Sequence, residues 1–190
     1  STNLTIAVGN SAAGGGTNTT GACVTVVANP TLTKAFNPTS ITLGAVSTLT
    51  FTLTNPADSS AVSNVGFTDT LPSGLRIASP NGLGGTCANA ATATAAVAGT
   101  NTITASNVQV PAAASCTITV AITTSASPTV GVCPQVNNTN SATSITVLTN
   151  VNNGVTDQCL TVNANYWNGV MDDAITRAPI AGGSITLQGP

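Results

Sequence analysis

The chain has 190 residues, a formal net charge of −2 and only 4% charged side chains; it lacks histidine, and all five of its acidic residues are aspartate. With no basic patch, a nucleic-acid partner is not expected, and the missing histidine and glutamate remove most acid–base, nucleophile–base and zinc chemistries. Solubility must rest on Thr, Ser, Asn and Gly, a composition expected of an extracellular protein covered by neighbours or glycans.

The first residue is Ser1 rather than Met, as expected after removal of a leader sequence. "TNLTIAV" sets Leu4, Ile6 and Val8 on one face of a lone alternating strand. The Gly-rich "GNSAAGGGTNTTG" that follows reads as a flexible linker. An isolated strand is not stable in water, so this one is expected to bury its apolar face against a partner. In "TLTKAFNP" the only lysine, Lys34, stands between Leu32 and Phe36 at every-other-residue spacing. In a strand it shares their apolar face, where a cation needs a partner. "STLTFTLTN" aligns Leu49, Phe51 and Leu53; "SNVGFTDT" aligns Val65 and Phe67, with Asp69 on the same parity. "ANAATATAAVAGT" suits a strand or loop, and no apolar run is long enough to span a bilayer as a helix. "SCTITVAIT" aligns Ile118, Val120 and Ile122, and "SATSITVLT" aligns Ile145 and Val147.

Clusters of Pro, Gly, Asn and Asp punctuate these runs, and no amphipathic helix of useful length interrupts them. The expected fold is all-β: an antiparallel immunoglobulin-like β-sandwich with N- and C-terminal extension strands. The expected division is 1–22 for the N-terminal strand and linker, 23–162 for the sandwich and 163–190 for a C-terminal extension. That extension resembles the start of a second repeat. "CLTVNAN" from Cys159 matches "CVTVVAN" from Cys23 at five of seven positions, and "ITRAPIAGGSITL" echoes "LTKAFNPTSITL", setting Arg177 opposite Lys34.

Weaker signals lie towards the end. Tyr166 and Trp167 are the only Tyr and Trp; they would stack on a sugar ring, anchor an interface, or cap the sandwich. Asn150, Asn152 and Asp157, and the pair Asp172–Asp173, offer oxygen ligands of the kind calcium takes. With so few carboxylates, solvated turns are the expectation, and neither metal nor cofactor is expected. Asn3, Asn18 and Asn137 sit in N-x-T sequons, relevant to a host that glycosylates secreted asparagines. The five cysteines, Cys23, Cys87, Cys116, Cys133 and Cys159, form no C-x-x-C pair. Disulfides in an oxidising compartment are therefore expected, with one thiol left over, and spacing alone leaves the connectivity open.

"PTLTKAFNPTSITLGAVSTLTFTLTNP", "NVGFTDTLPSGLRIASPNG", "TC", "ASCTITVAI" and "NTNSAT" follow one another in the order found in the conserved bacterial surface-protein repeat of unknown function, which residues 28–150 resemble. The resemblance implies an immunoglobulin-like sandwich, often in tandem arrays, at the cell surface, and says little about activity. Its phrasing implies a Cys87–Cys116 bridge. Cys133 and Cys159, which flank the Asn-rich strand, are the second expected pair. Cys23 is then odd, bonded to a neighbouring subunit or, in an alternative pairing, to Cys159.

Two readings of Lys34 follow. One is a buried ion pair with Asp69 that fixes strand register. The other is an intramolecular isopeptide bond, as in many bacterial surface domains of this architecture. Burial would make the lysine neutral and nucleophilic, Asn140 or Asn138 would supply the amide, and Asp69 would shuttle protons. Asn140 fits the family-like phrase "N-x-A-T" better. Both readings are structural, and no enzyme is expected. The expected function is a structural subunit of an extracellular filament or surface layer, polymerising with copies of itself as the strand at Leu4, Ile6 and Val8 adds to the next subunit. The alternative is a spacer or glycan-binding repeat of a larger surface adhesin.

Overall fold

Apolar residues recur at every second position because a pleated strand with one buried face has that period. The computed structural model describes residues 4–5, 23–24, 28–126, 128, 130–133 and 138–164. The chain is all-β. Its strands begin with β1 (Leu4–Thr5), β2 (Cys23–Val24), β3 (Thr31–Asn37), β4 (Ser40–Thr42) and β5 (Val46–Thr54). They continue with β6 (Val62–Thr70), β7 (Leu75–Ile77), β8 (Thr94–Ala96), β9 (Thr102–Val110) and β10 (Ser115–Thr124). The last are β11 (Thr139–Asn140), β12 (Ile145–Thr149), β13 (Asn152–Asn153), β14 (Gln158–Cys159) and β15 (Thr161–Asn163).

Two sheets carry the core. One runs β13–β3–β5–β10–β7 and the other β12–β6–β9–β8. In the first, the inward row of β3, β5 and β10 reads Lys34, Phe51, Ile118, flanked by Leu32–Leu53–Cys116 and Phe36–Leu49–Val120. In the second, Asp69 lies between Ile145 and Ile103. Phe51 and Phe67 meet between the sheets, ring centroids 4.9 Å apart and tilted. Leu32, Leu49, Phe51, Leu53, Ile118 and Ile122 are all fully buried, and each such side chain stabilises the fold by about 1.5–3 kcal/mol. The threonines between them face outward, which gives the strands their Thr-rich look.

Several expectations need correction. The strand pairing is not wholly antiparallel: β13 runs parallel to β3, and β15 parallel to β4. Neither pair is joined by a hairpin, so no tight turn dictates its direction. Val147 does not share the buried face of Ile145. The β12–β6 register shifts between Thr146 and Thr149, Val147 takes a φ of 51°, and its side chain is 73% exposed. A bulge of this kind flips the faces beyond it. The same device breaks the period of two in β9: Ile103 and Ala105 are buried, then Asn107 takes a φ of 58° and the buried face resumes at Val108 and Val110. "ANAATATAAVAGT" holds a four-residue helix, α1 (Ala90–Ala93), directly before β8.

The ends are distinct. The echo that starts at Cys159 begins inside this body, because Leu160 and Val162 are fully buried in its core. Arg177 lies outside the described residues. At the other end, β1 pairs antiparallel with β2, Leu4 opposite Val24 and Thr5 opposite Cys23. This ribbon belongs to neither large sheet. Ile6 and Val8 lie outside the described residues.

Candidate functional site

The alternation of β3 that buries Leu32 and Phe36 also turns Lys34 inward, and the alternation of β6 that buries Val65 and Phe67 does the same for Asp69. Each comes from a different sheet, and they meet with Nζ 3.2 Å from Oδ1, both side chains fully shielded from solvent. Lys34 Nζ also donates to the Ser141 carbonyl at 2.8 Å and to Ser144 Oγ at 2.9 Å. A charged ammonium has three N–H groups, and these three acceptors match them. Burial pushes the Lys34 amine below its ordinary range, against the opposing attraction of Asp69 and, more weakly, of Asp157.

The second oxygen of Asp69 is occupied by the Asn140 side chain, whose Nδ2 donates to Oδ2 at 2.7 Å. Asn140 is fully buried on β11, which pairs with β14 through Thr139–Cys159 and Asn140–Gln158. Ser141 accepts from Thr143 N–H at 3.0 Å and so caps the 3-10 turn Ala142–Ser144. Asp157 steadies that turn by accepting from Ala142 N–H at 2.6 Å. The turn delivers Ser144 to the centre of the cluster, where its hydroxyl reaches Asp69 Oδ1, Asn140 Oδ1 at 2.7 Å and the Ser141 carbonyl at 2.7 Å. A hydroxyl carries one proton, so it serves one of these acceptors at a time while accepting from Lys34.

Of the four residues expected here, Lys34, Asp69 and Asn140 come together. Asn138 is also fully buried, and its main-chain carbonyl accepts from Leu160 N–H at 3.0 Å; the amide on the Asp69 carboxylate is that of Asn140. Ser141 and Ser144 escaped sequence reasoning. Their signal was the short run "SATS" between Asn140 and Ile145, too short to carry a face assignment. The cluster gathers an amine, a primary amide and a carboxyl away from water, with a half-buried serine hydroxyl among them.

Two disulfides clamp the same body, Cys87–Cys116 and Cys133–Cys159, with Cα–Cα distances of 4.7 Å and 5.8 Å. Disulfides form in oxidising compartments. The alternative Cys23–Cys159 bridge is thereby overturned, and Cys23 is left without a cysteine partner in its own chain. The calcium candidates have other tasks: Asn150 Nδ2 donates to the Asn64 carbonyl, Asn152 Nδ2 to the Asn29 carbonyl, and Asp157 holds Ala142. Among the described residues no group of three acidic or cysteine side chains is placed to hold a metal. Asp172, Asp173, Tyr166 and Trp167 lie outside the described residues. A surface cleft of about 500 Å³ beside β7 contains one charged side chain, Arg76, among small aliphatic and hydroxyl groups. No helix among the described residues is long and apolar enough to cross a membrane.

Residues 30–162 match the sequence profile of a family described as a domain of unknown function, DUF7933, and the chain belongs to that family. Comparison with curated proteins finds no match.

Proposed function

We propose that this DUF7933 chain is a structural subunit of an extracellular filament or surface layer, built on an immunoglobulin-like sandwich and joined to its neighbours by strand addition. The observation that carries this reading is the β1–β2 ribbon, which stands outside both large sheets. A two-stranded ribbon is marginal in water by itself. The sequence around β1 alternates Leu4, Ile6 and Val8 on one face, which is what a strand laid on another copy's sheet edge requires. An edge with apolar side chains on offer is β12, where Val147 and Leu148 are 73% and 42% exposed. Cys23, the odd cysteine of the sequence, would add a covalent link between copies.

The disulfides support export to an oxidising, extracellular setting. The ionisable cluster of the body is sealed in the core rather than open to a substrate, which supports a structural role over an enzymatic one. Deleting residues 1–10 tests the reading. Negative-stain microscopy and light scattering should show assemblies for the full chain and single folded subunits for the truncated one. Unchanged behaviour of the two chains would support a spacer repeat instead.

A further inference from the structure

We propose that Lys34 and Asn140 become joined by an intramolecular isopeptide bond, formed once in the folded chain, with Asp69 as the proton carrier and Ser144 as the donor that polarises the amide. This holds whether or not the chain polymerises, so its failure and that of strand addition are separable.

The geometry supplies each part. The amine and the amide are held on the two oxygens of one carboxylate, Lys34 on Oδ1 and Asn140 on Oδ2. A proton passed from Lys34 to Asp69 leaves a neutral amine beside a neutral acid, and burial favours that exchange because it removes two charges from a dry site. The amine's lone pair then attacks Cγ of Asn140. Negative charge develops on Asn140 Oδ1, where the Ser144 hydroxyl stands at 2.7 Å as hydrogen-bond donor. The leaving nitrogen is Nδ2, already in contact with the Asp69 oxygen that delivers a proton to it. One Nζ–Cγ bond forms, one Cγ–Nδ2 bond breaks, and one ammonia leaves. Nζ gives up two protons to Asp69 in turn, the first before attack and the second as the tetrahedral intermediate collapses. Asp69 passes one of them to Nδ2, and the other stays on its carboxyl or departs with the ammonia as ammonium. No oxidant, metal or co-substrate enters. Proximity, with the amine, amide and carboxyl shielded from solvent, supplies the main acceleration. The product would tie β3, in the first sheet, to β11 beside β14.

The test is the intact mass of the full chain, reduced and denatured. The expected result is a mass one ammonia below that of the sequence, with fragmentation locating a Lys34–Asn140 branched peptide. A succinimide at an Asn-Gly step such as Asn81–Gly82 loses the same ammonia, so the location decides. An unshifted mass, or a loss confined to an Asn-Gly step, overturns the proposal. Among variants that stay folded by circular dichroism, Asn140→Ala should show the full mass, and a retained cross-link there would assign the wrong acceptor. Ser144→Ala should cross-link about 10²-fold more slowly, the usual cost of deleting one such donor. An unchanged rate would remove Ser144 from the reaction.

Discussion

Lys34 and Asp69 meet from opposite sheets, Nζ to Oδ1 at 3.2 Å, so a charge pair of the core is also a tie between β3 and β6. Asp69 has an isoleucine opposite it on each neighbouring strand, Ile145 and Ile103, and Lys34 lies opposite Phe51. Neither charge has water to fall back on.

Truncating Asp69 to Ala therefore strands a buried ammonium and is expected to destabilise the fold by about 3–5 kcal/mol in urea denaturation. Replacing both partners with apolar groups of similar size, Lys34→Met with Asp69→Leu, should recover much of that loss, because desolvating the pair costs nearly as much as their attraction returns. Recovery is measured against an uncross-linked reference such as Asn140→Ala. If Asp69→Ala costs less than about 1 kcal/mol, Lys34 escapes to solvent and is not held in the core.

Stability should also depend on pH, most clearly in the Asn140→Ala protein, where Lys34 remains a free amine. The titratable groups facing it are Asp69 and Asp157. Burial lowers the Lys34 value in the folded chain, whereas the unfolded chain holds its proton up to about the ordinary 10.5. Between those two values the unfolded state binds more protons, so the free energy of unfolding rises with pH. The lysine's penalty is at its full size below the folded value and is relieved as pH climbs towards 10.5. Urea melts across the alkaline range would show this rise; a fall in the same window would mean that the ion pair outweighs desolvation.

Much of the fold and half of the site were legible in the sequence because strand parity is a local property. Leu32, Lys34 and Phe36 share a face by spacing alone, as do Val65, Phe67 and Asp69, and no knowledge of the partner strand is needed. What spacing cannot carry is the registration of distant segments. Ser144 reaches Asp69 only because Ile145 pairs opposite it, 75 positions along the chain from its partner side chain. The parallel placement of β15 beside β4 is likewise a long-range choice. Bulges defeat parity itself, as Val147 and Asn107 show.

That bulge makes a further prediction. Ile145 is 5% exposed and Val147 is 73% exposed, although a regular strand would put them on the same face. Ile145→Ala should cost about 2–5 kcal/mol, as large-to-small core changes do. Val147→Thr should stay within about 0.5 kcal/mol in the isolated subunit, as surface changes do. Equal losses in chemical denaturation would restore the regular register and dismiss the bulge.

The two disulfides should be similar in stability yet different in consequence. They close loops of 29 and 26 residues by sequence separation, and loops of that size stabilise by about 3–4 kcal/mol in the chain-entropy model. Cys87–Cys116 joins the approach to α1 to β10 and makes no hydrogen bond to the lysine cluster. Cys133–Cys159 instead anchors β14, and Cys159 is the residue paired with Thr139, next to Asn140 on β11. Removing it leaves β11 with a looser partner, and the amide it carries loses its fixed approach to Asp69. Cys133→Ser with Cys159→Ser should therefore slow the appearance of the ammonia-loss species several-fold, whereas Cys87→Ser with Cys116→Ser should lower stability and leave that rate unchanged. Time-resolved intact mass on both double variants, each checked for folding, separates the two. Equal slowing would mean that general loosening of the body, not the placing of β11, sets the reaction rate.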